Sequence, residues 1–257
     1  MRKLFSLALL SACFVLSPAA RATEDGALSL SPAVVMLRGD YGQSTTQTLT
    51  LTNGTSRDFS FDLVAQDVVS SGGKRAFADA GSIAGSIAAT AVFSQNHVEI
   101  PAGKSAAVTM TVTLPPGTPQ RAIVALFRGT NRVMSGNTPI TASLGGLLTF
   151  AVSDDVRMKA APLTIQPQTG SANLAVRQAC TNEGREPLVA RGVLAVLDGN
   201  GALIGKSPIA QHRLLPGESA DLGGEYAGEL GPGHYRLFVT YDYEGRTLTQ
   251  SAEVDVK

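Results

Sequence analysis

The sequence predicts an all-β protein: a cleaved leader followed by two β-sandwich domains. Three observations carry this. Thr45–Asn53, Asp58–Ala65, Ser105–Leu114 and Arg246–Val256 alternate polar and apolar residues, and a period of two marks a strand with one buried face. Turn-forming clusters (NGTS, PAGK, PPGT, LPGE, GPGH) separate such stretches at short intervals, as in a sandwich or barrel. One order of motifs also occurs twice. LTLTNGTSRDFSFDLVA (Leu49–Ala65) pairs with QACTNEGREPLVARGVLAVL (Gln178–Leu197), and IPAGKSAAV (Ile100–Val108) pairs with LLPGESADL (Leu214–Leu222). Two copies imply two domains of one architecture, each near ~115 residues, a common domain size.

Residues 1–22 read as a secretory signal peptide. Arg2 and Lys3 open it, Leu4–Leu16 is apolar, and Ala20-Arg21-Ala22 is a small-x-small cleavage site, with cleavage expected after Ala22. Leu10–Cys13 resembles a lipobox, but its apolar run would be very short and apolar sequence continues beyond it, so ordinary cleavage is favoured. The net charge of zero becomes −3, because three of the 21 basic residues leave and none of the 21 acidic ones does. A weakly acidic chain is a poor electrostatic match for nucleic acid or anionic lipid. No later run is long and apolar enough to span a bilayer. The expectation is a soluble periplasmic or secreted protein, monomeric by default, with no stable membrane insertion.

The first domain is expected over residues 23–158. Within it, Asp79–Val92 (DAGSIAGSIAATAV) is rich in Gly, Ala and Ser and reads as an irregular insertion. Ile140–Val152 reads as a long last strand. Ile140, Ala142, Leu144, Leu148, Phe150 and Val152 share one parity, and the apolar parity should enter the core. The joint falls near Asp154–Pro162, where alternation stops and charges cluster, and the second domain follows over residues 159–257. There, GNGALIGKS (Gly199–Ser207) ends like a phosphate-binding loop. The spacing misses that motif by one and Pro208 follows at once. Val193–Asp198 and Ala202–Ser207 read instead as a hairpin around Asp-Gly-Asn-Gly.

Little in the sequence points to catalysis. Cys13 leaves with the leader, so Cys180 stands alone, no intrachain disulfide forms, and a small buried core residue is expected. His97, His212 and His234 are far apart beside turns, with no Cys cluster. No Gly-x-Ser-x-Gly elbow occurs. The acid pairs Asp154/Asp155 and Asp242/Glu244 read as solvated turns or strand faces. There is no Trp to stack on sugars. No enzyme, cofactor or metal is expected.

Two sandwiches behind a signal peptide resemble the periplasmic pilus chaperones. The resemblance follows the first domain in order: ALSLSPAVVMLR, TTQTLTLTN, NHVEIPAGKSAAVTMTVTLP, QRAIVALFRGT and TPITASLGGLLTFAV. It implies an immunoglobulin-like fold in each domain and a seventh strand, here Ile140–Val152, that lends itself to the incomplete sheet of a pilus subunit. The candidate partner-binding residues are then Ile140, Ala142, Leu144 and Leu148. The first half of that strand would overhang the core, kept slim by Thr-Ala-Ser and able to bend at Gly145-Gly146. The family clamps a subunit's terminal carboxylate with two basic residues, on the first and seventh strands. Ile140–Val152 holds no Lys or Arg, so that pair does not carry over, and Arg38 is the one candidate basic contact. A second resemblance, to two-domain surface proteins that work with WxL proteins, rests on the IPAGKS turn and on LGPGHYRLFVTYDYEGRTLT. The reading is a chaperone or assembly adaptor that binds extended polypeptide by strand addition. Its alternative is an envelope or cell-surface protein- or glycan-binding module.

Overall fold

A computed structural model of the chain describes residues 26–135, 138–167 and 174–256, and the expected leader lies outside them. The first sandwich is built from β1 (Leu28–Ser31), β2 (Val34–Arg38), β3 (Ser44–Asn53), β4 (Phe59–Ser71), β5 (Lys74–Asp79), β6 (Val92–Phe93), β7 (His97–Ile100), β8 (Ser105–Thr113), β9 (Ala122–Gly129), β10 (Val133–Ser135), β11 (Thr138–Ile140) and β12 (Ser143–Ala151). One sheet runs β1-β3-β8-β6. The other runs β2-β12-β9-β4-β5, with β7 also on β4. The chain crosses from the first sheet to the second between β1 and β2, at the cis Ser31–Pro32 bond.

Alternation sorts the faces. On β3, Leu49, Leu51 and Asn53 point inward and are buried, while Thr46, Thr48 and Thr52 are exposed. Outward hydroxyls pair across β3 and β8, Thr46 with Thr111 at 2.8 Å and Thr52 with Ser105 at 2.9 Å. Between the sheets lie Leu49, Phe61, Met110, Phe127 and Leu148. Each such side chain contributes about 1.5–3 kcal/mol by leaving water. The Asp79–Val92 stretch is irregular, with one short 3-10 turn at Ala88–Thr90. It is nevertheless pinned. The buried Asp67 carboxylate accepts from Ser86 Oγ at 2.5 Å and from the Ile87 and Ala88 N–H groups at 2.8 and 3.1 Å.

The structure departs from the sequence reading in two places. β4 runs on to Ser71 and turns back as β5 through Gly72-Gly73, both at positive φ, which suits a two-residue hairpin. Strict alternation fails over Val68–Ser71, so the period gave no sign of it. The long last strand is also interrupted. Thr138–Ile140 pairs with Val133–Ser135 as a separate small ribbon, and β12 starts only at Ser143. Between them the Ala142 carbonyl approaches Gly129 so closely that a Cβ there would sit 2.1 Å from the oxygen.

The second sandwich is built from β13 (Met158–Ala160), β14 (Thr164–Pro167), β15 (Leu174–Asn182), β16 (Leu188–Asp198), β17 (Leu203–Leu214), β18 (Ser219–Tyr226), β19 (Gly233–Tyr243) and β20 (Arg246–Val256). β13, β14 and β18 pair with β15, and the facing sheet runs β17-β16-β19-β20. Val156 and Met158 pack into this core with Val176, Leu194, Leu237 and Tyr241, so the second sandwich begins inside the Asp154–Pro162 stretch. GNGALIGKS is a hairpin tip: the Asp198 N–H donates to the Ala202 carbonyl at 2.9 Å and Gly201 has φ +84. Cys180 is fully buried.

The internal repeat is structural. At the end of β3 the Asn53 amide donates to the Arg57 and Ile100 carbonyls at 2.6 and 3.0 Å, and its oxygen accepts the Thr55 N–H. At the end of β15 the Asn182 amide donates to the Glu186 and Leu214 carbonyls at 2.8 and 3.1 Å, and its oxygen accepts the Gly184 N–H. Each Asn is fully buried. Each ties a strand end to a four-residue turn, Pro101–Lys104 or Leu215–Glu218, whose glycine has positive φ, Gly103 or Gly217.

Candidate functional site

The Asn182 end of the second sandwich sits on the first. Arg121 opens β9 and reaches across: Nε donates to Glu186 Oε2 at 2.9 Å and Nη2 to Oε1 at 3.3 Å. Both side chains are nearly or fully buried, at 6% and 0% exposure. Burial of such a pair is tolerated only when its remaining groups are satisfied, and they are. Arg121 Nη1 donates to the Thr118 and Gln120 carbonyls, Nη2 donates to Tyr41 Oη, and Glu186 accepts from the Val152 N–H and the Ser153 hydroxyl. Beside it Leu215 packs with Val68, Ala122, Val124 and Leu147. The β4–β5 hairpin adds a second clamp, with Arg75 paired to Glu218 at 2.8 Å and the Gly73 carbonyl accepting the Ser219 N–H.

Strand β12 runs through this joint. Its parity is as the alternation implies. Leu148 and Phe150 are buried in the first core, and Ala142, Leu144 and Val152 pack against it half-buried. On the opposite parity Ser143 and Gly145 are exposed, but Leu147 packs with Leu215 of the second sandwich and the fully buried Thr149 accepts from its Arg213.

The two edges of β12 differ. β9 pairs along Ser143–Thr149, whereas β2 pairs only along Leu147–Ala151. The Leu147 N–H donates toward β2, to the Ala33 carbonyl, and the Phe150 N–H donates toward β9, to the Arg121 carbonyl. Backbone direction alternates along a strand, so Ser143 and Gly145 turn their N–H and C=O groups to the β2 side. Among the described residues no strand pairs with β12 there. β2 begins at Val34, which is 51% exposed, where the open edge ends.

The residues singled out from the sequence are divided by this geometry. Ala142 and Leu144 stand at the rim of the core beside the open edge. Leu148 is 1% exposed, so its side chain fills the core. Ile140 pairs through its backbone with Val133, and its side chain lies outside the described residues. Arg38 is exposed and donates to Glu244 Oε2 at 3.1 Å, with Asp154 at 3.9 Å, so its charge is engaged with residues beyond the first sandwich. Arg213 on β17 was not foreseen. It is half-buried, donates to Thr149 Oγ1 at 2.7 Å, and burial lowers its pKa against the opposing pull of Glu244. Its place depends on how the sandwiches meet, which no local pattern encodes. His97 and His234 are exposed and paired with Asp62 and Asp255. Among the described residues no group of three or more His, Cys, Asp or Glu could hold a metal. No helix among them is long and apolar enough to cross a membrane.

No known family pattern matches the chain, and no curated protein matches it. Solved structures do. The chain is similar to pilus chaperones. It shares 12% identity with the class 5 fimbriae chaperone CfaA, over 88% of this chain and 98% of that one, at a TM-score of 0.43. It shares 16% with the chaperone DraB of E. coli, over 90% and 98%, at 0.40. It shares 10% with a chain of the CsuC–CsuE chaperone–tip adhesion subunit complex from Acinetobacter baumannii, over 88% and 98%, at 0.46.

Proposed function

We propose that the chain is a periplasmic chaperone or assembly adaptor that holds an extended polypeptide, of the pilus-subunit kind, by strand addition. The observation that carries this is the open edge at Ser143–Gly146. Backbone groups of Ser143 and Gly145 face outward, side chains there are small, and a guest strand would continue the line of β2 and meet Val34. Main-chain hydrogen bonds would supply affinity and the alternating pockets beside Ala142 and Leu144 would supply selection. A short, slim edge is also one that does not invite indiscriminate pairing.

Gly145→Pro tests it. The variant removes an N–H that faces outward and none that serves β9, and proline is tolerated where the N–H faces solvent. A Cβ at this position meets only Val124 Cγ2, at 3.0 Å, and a side-chain methyl can shift. Co-expressed with a pilus-type subunit, the folded variant should retain less subunit by about ten-fold, as expected when a buried partner carbonyl is left unpaired. Undiminished capture by a folded variant rejects strand addition. Retention on cell wall or glycan without subunit capture favours the envelope-binding alternative.

A further inference from the structure

The two copies of the Asn hub and its downstream glycine turn build one frame, so their differences show what the frame does not need. Arg57 in the first copy corresponds to Glu186 in the second, four residues past each Asn. Pro101 corresponds to Leu215 and Lys104 to Glu218, at the same places in each turn. Thr55 corresponds to Gly184. In the first copy these positions carry Thr, Arg, Pro and Lys, and the hub bonds form all the same. In the second copy each touches the joint. Glu186 meets Arg121, Glu218 meets Arg75, and Leu215 plugs the apolar patch of Val68, Val124 and Leu147. Gly184 lies under the connecting segment, where a Cβ would come 2.4 Å from the Asp155 carbonyl oxygen.

We propose that this end of the second sandwich is a docking face written onto the repeated frame at Glu186, Leu215 and Glu218. Its receptor, on the first sandwich, accepts a sandwich end only in this acidic, leucine-bearing form. The chemistry is complementary in both charge pairs and in the plug. It is also exclusive. Pro101 and Lys104 of the first sandwich's own copy are exposed, and offered to the receptor of a second molecule that copy would set Lys104 against Arg75 and a proline in place of the leucine plug. Like charges facing one another reject the wrong partner as effectively as matched charges accept the right one. A head-to-tail contact of that kind would build rings or filaments. The reversed charges direct the receptor to the second sandwich of its own chain.

The test exchanges the residues between copies in the full chain. Glu186→Arg, Leu215→Pro and Glu218→Lys together give the second end the first end's residues. Both sandwiches should stay folded, with native far-ultraviolet dichroism and an unlabelled Cys180. Protease cutting between Val152 and Val156 should rise by roughly ten-fold or more, as expected when a buried charge pair is broken, and the radius of gyration should grow. The mirror variant, Arg57→Glu, Pro101→Leu and Lys104→Glu, should change neither. A compact first variant with a protected connecting segment overturns the proposal, because docking then resides elsewhere. So does labelling of Cys180 in the first variant, or unfolding of the mirror variant, because the positions then belong to the frame.

Discussion

Asn53 and Asn182 do the same work in two sandwiches. Each closes the end of a strand by donating both amide hydrogens to backbone carbonyls and accepting one backbone N–H. Removing the amide takes a donor from buried carbonyls, Ile100 in one hub and Glu186 and Leu214 in the other, and an unsatisfied buried group costs about 1–3 kcal/mol. Asn53→Ala and Asn182→Ala should each lower stability by at least that much in denaturant unfolding. Asn→Asp should be no remedy, because it removes the donor and adds a buried charge. Either alanine variant unfolding at the wild-type midpoint would show that the hub is redundant.

The repeat that carries the hub was legible because it is local, although the bonds of the two asparagines were not. A strand, an Asn and a turn sit close together in sequence, and the same order recurs with a glycine turn downstream. The strands of β3, β8 and β20 were legible for the same reason, since each presents one wet face and one dry one. β4 beyond Ala65 was not, because Val68 is covered by Leu215 of the second sandwich and so breaks the two-period. The open edge of β12 was only half legible. Sequence pointed to side chains on Ile140–Val152, but the exposed groups are the backbone of Ser143 and Gly145, set by where β2 starts. Arg121 was visible only as the residue opening a strand, and its role depends on Glu186, a long way off in the chain.

Arg121 and Glu186 should couple strongly. Arg121→Ala leaves a buried carboxylate without its cation and should cost about 3–5 kcal/mol, as losing one partner of a buried pair does. Arg121→Met with Glu186→Leu should cost less than either truncation alone, because no charge is then left unpaired. A double-mutant cycle reads the difference. Additive losses would mean that the two residues act independently.

Alkaline pH should weaken the second sandwich through Cys180. Burial pushes its thiol up from 9.0 to about 11, partly offset by the Tyr241 hydroxyl beside it. The folded state therefore keeps a proton that the unfolded chain gives up, so stability is full below pH 9 and falls as pH rises toward 11. Burial raises the Tyr241 phenol as well, which adds to the loss at the upper end. Unfolding midpoints measured between pH 8 and 11 should fall, and Cys180→Ala should flatten the earlier part of the slope. The native thiol should resist alkylation at pH 8, since thiolate is the nucleophile. Rapid labelling of the folded protein would contradict the burial.

The second sandwich, expressed from Asp154 onward, should fold without the first. Its core residues, from Val156 to Tyr243, all lie within it, and the Asn182 hub draws every partner from residues 182–218. Separation exposes Leu215, which gives up its apolar contacts with the first sandwich. It also returns Glu186 and Glu218 to water, where an unpaired carboxylate carries no desolvation penalty. The fragment should therefore unfold in one cooperative transition, at lower denaturant than the same sandwich in the full chain. Glu186→Arg sharpens the comparison. In the full chain it sets one arginine against another in a buried joint and should destabilise strongly. In the fragment the same position is on the surface, where substitutions usually stay within about 0.5 kcal/mol. Equal destabilisation in both contexts would show that Glu186 supports its own sandwich rather than the contact with the first. A fragment that stays unfolded would show that the second core needs the first to form.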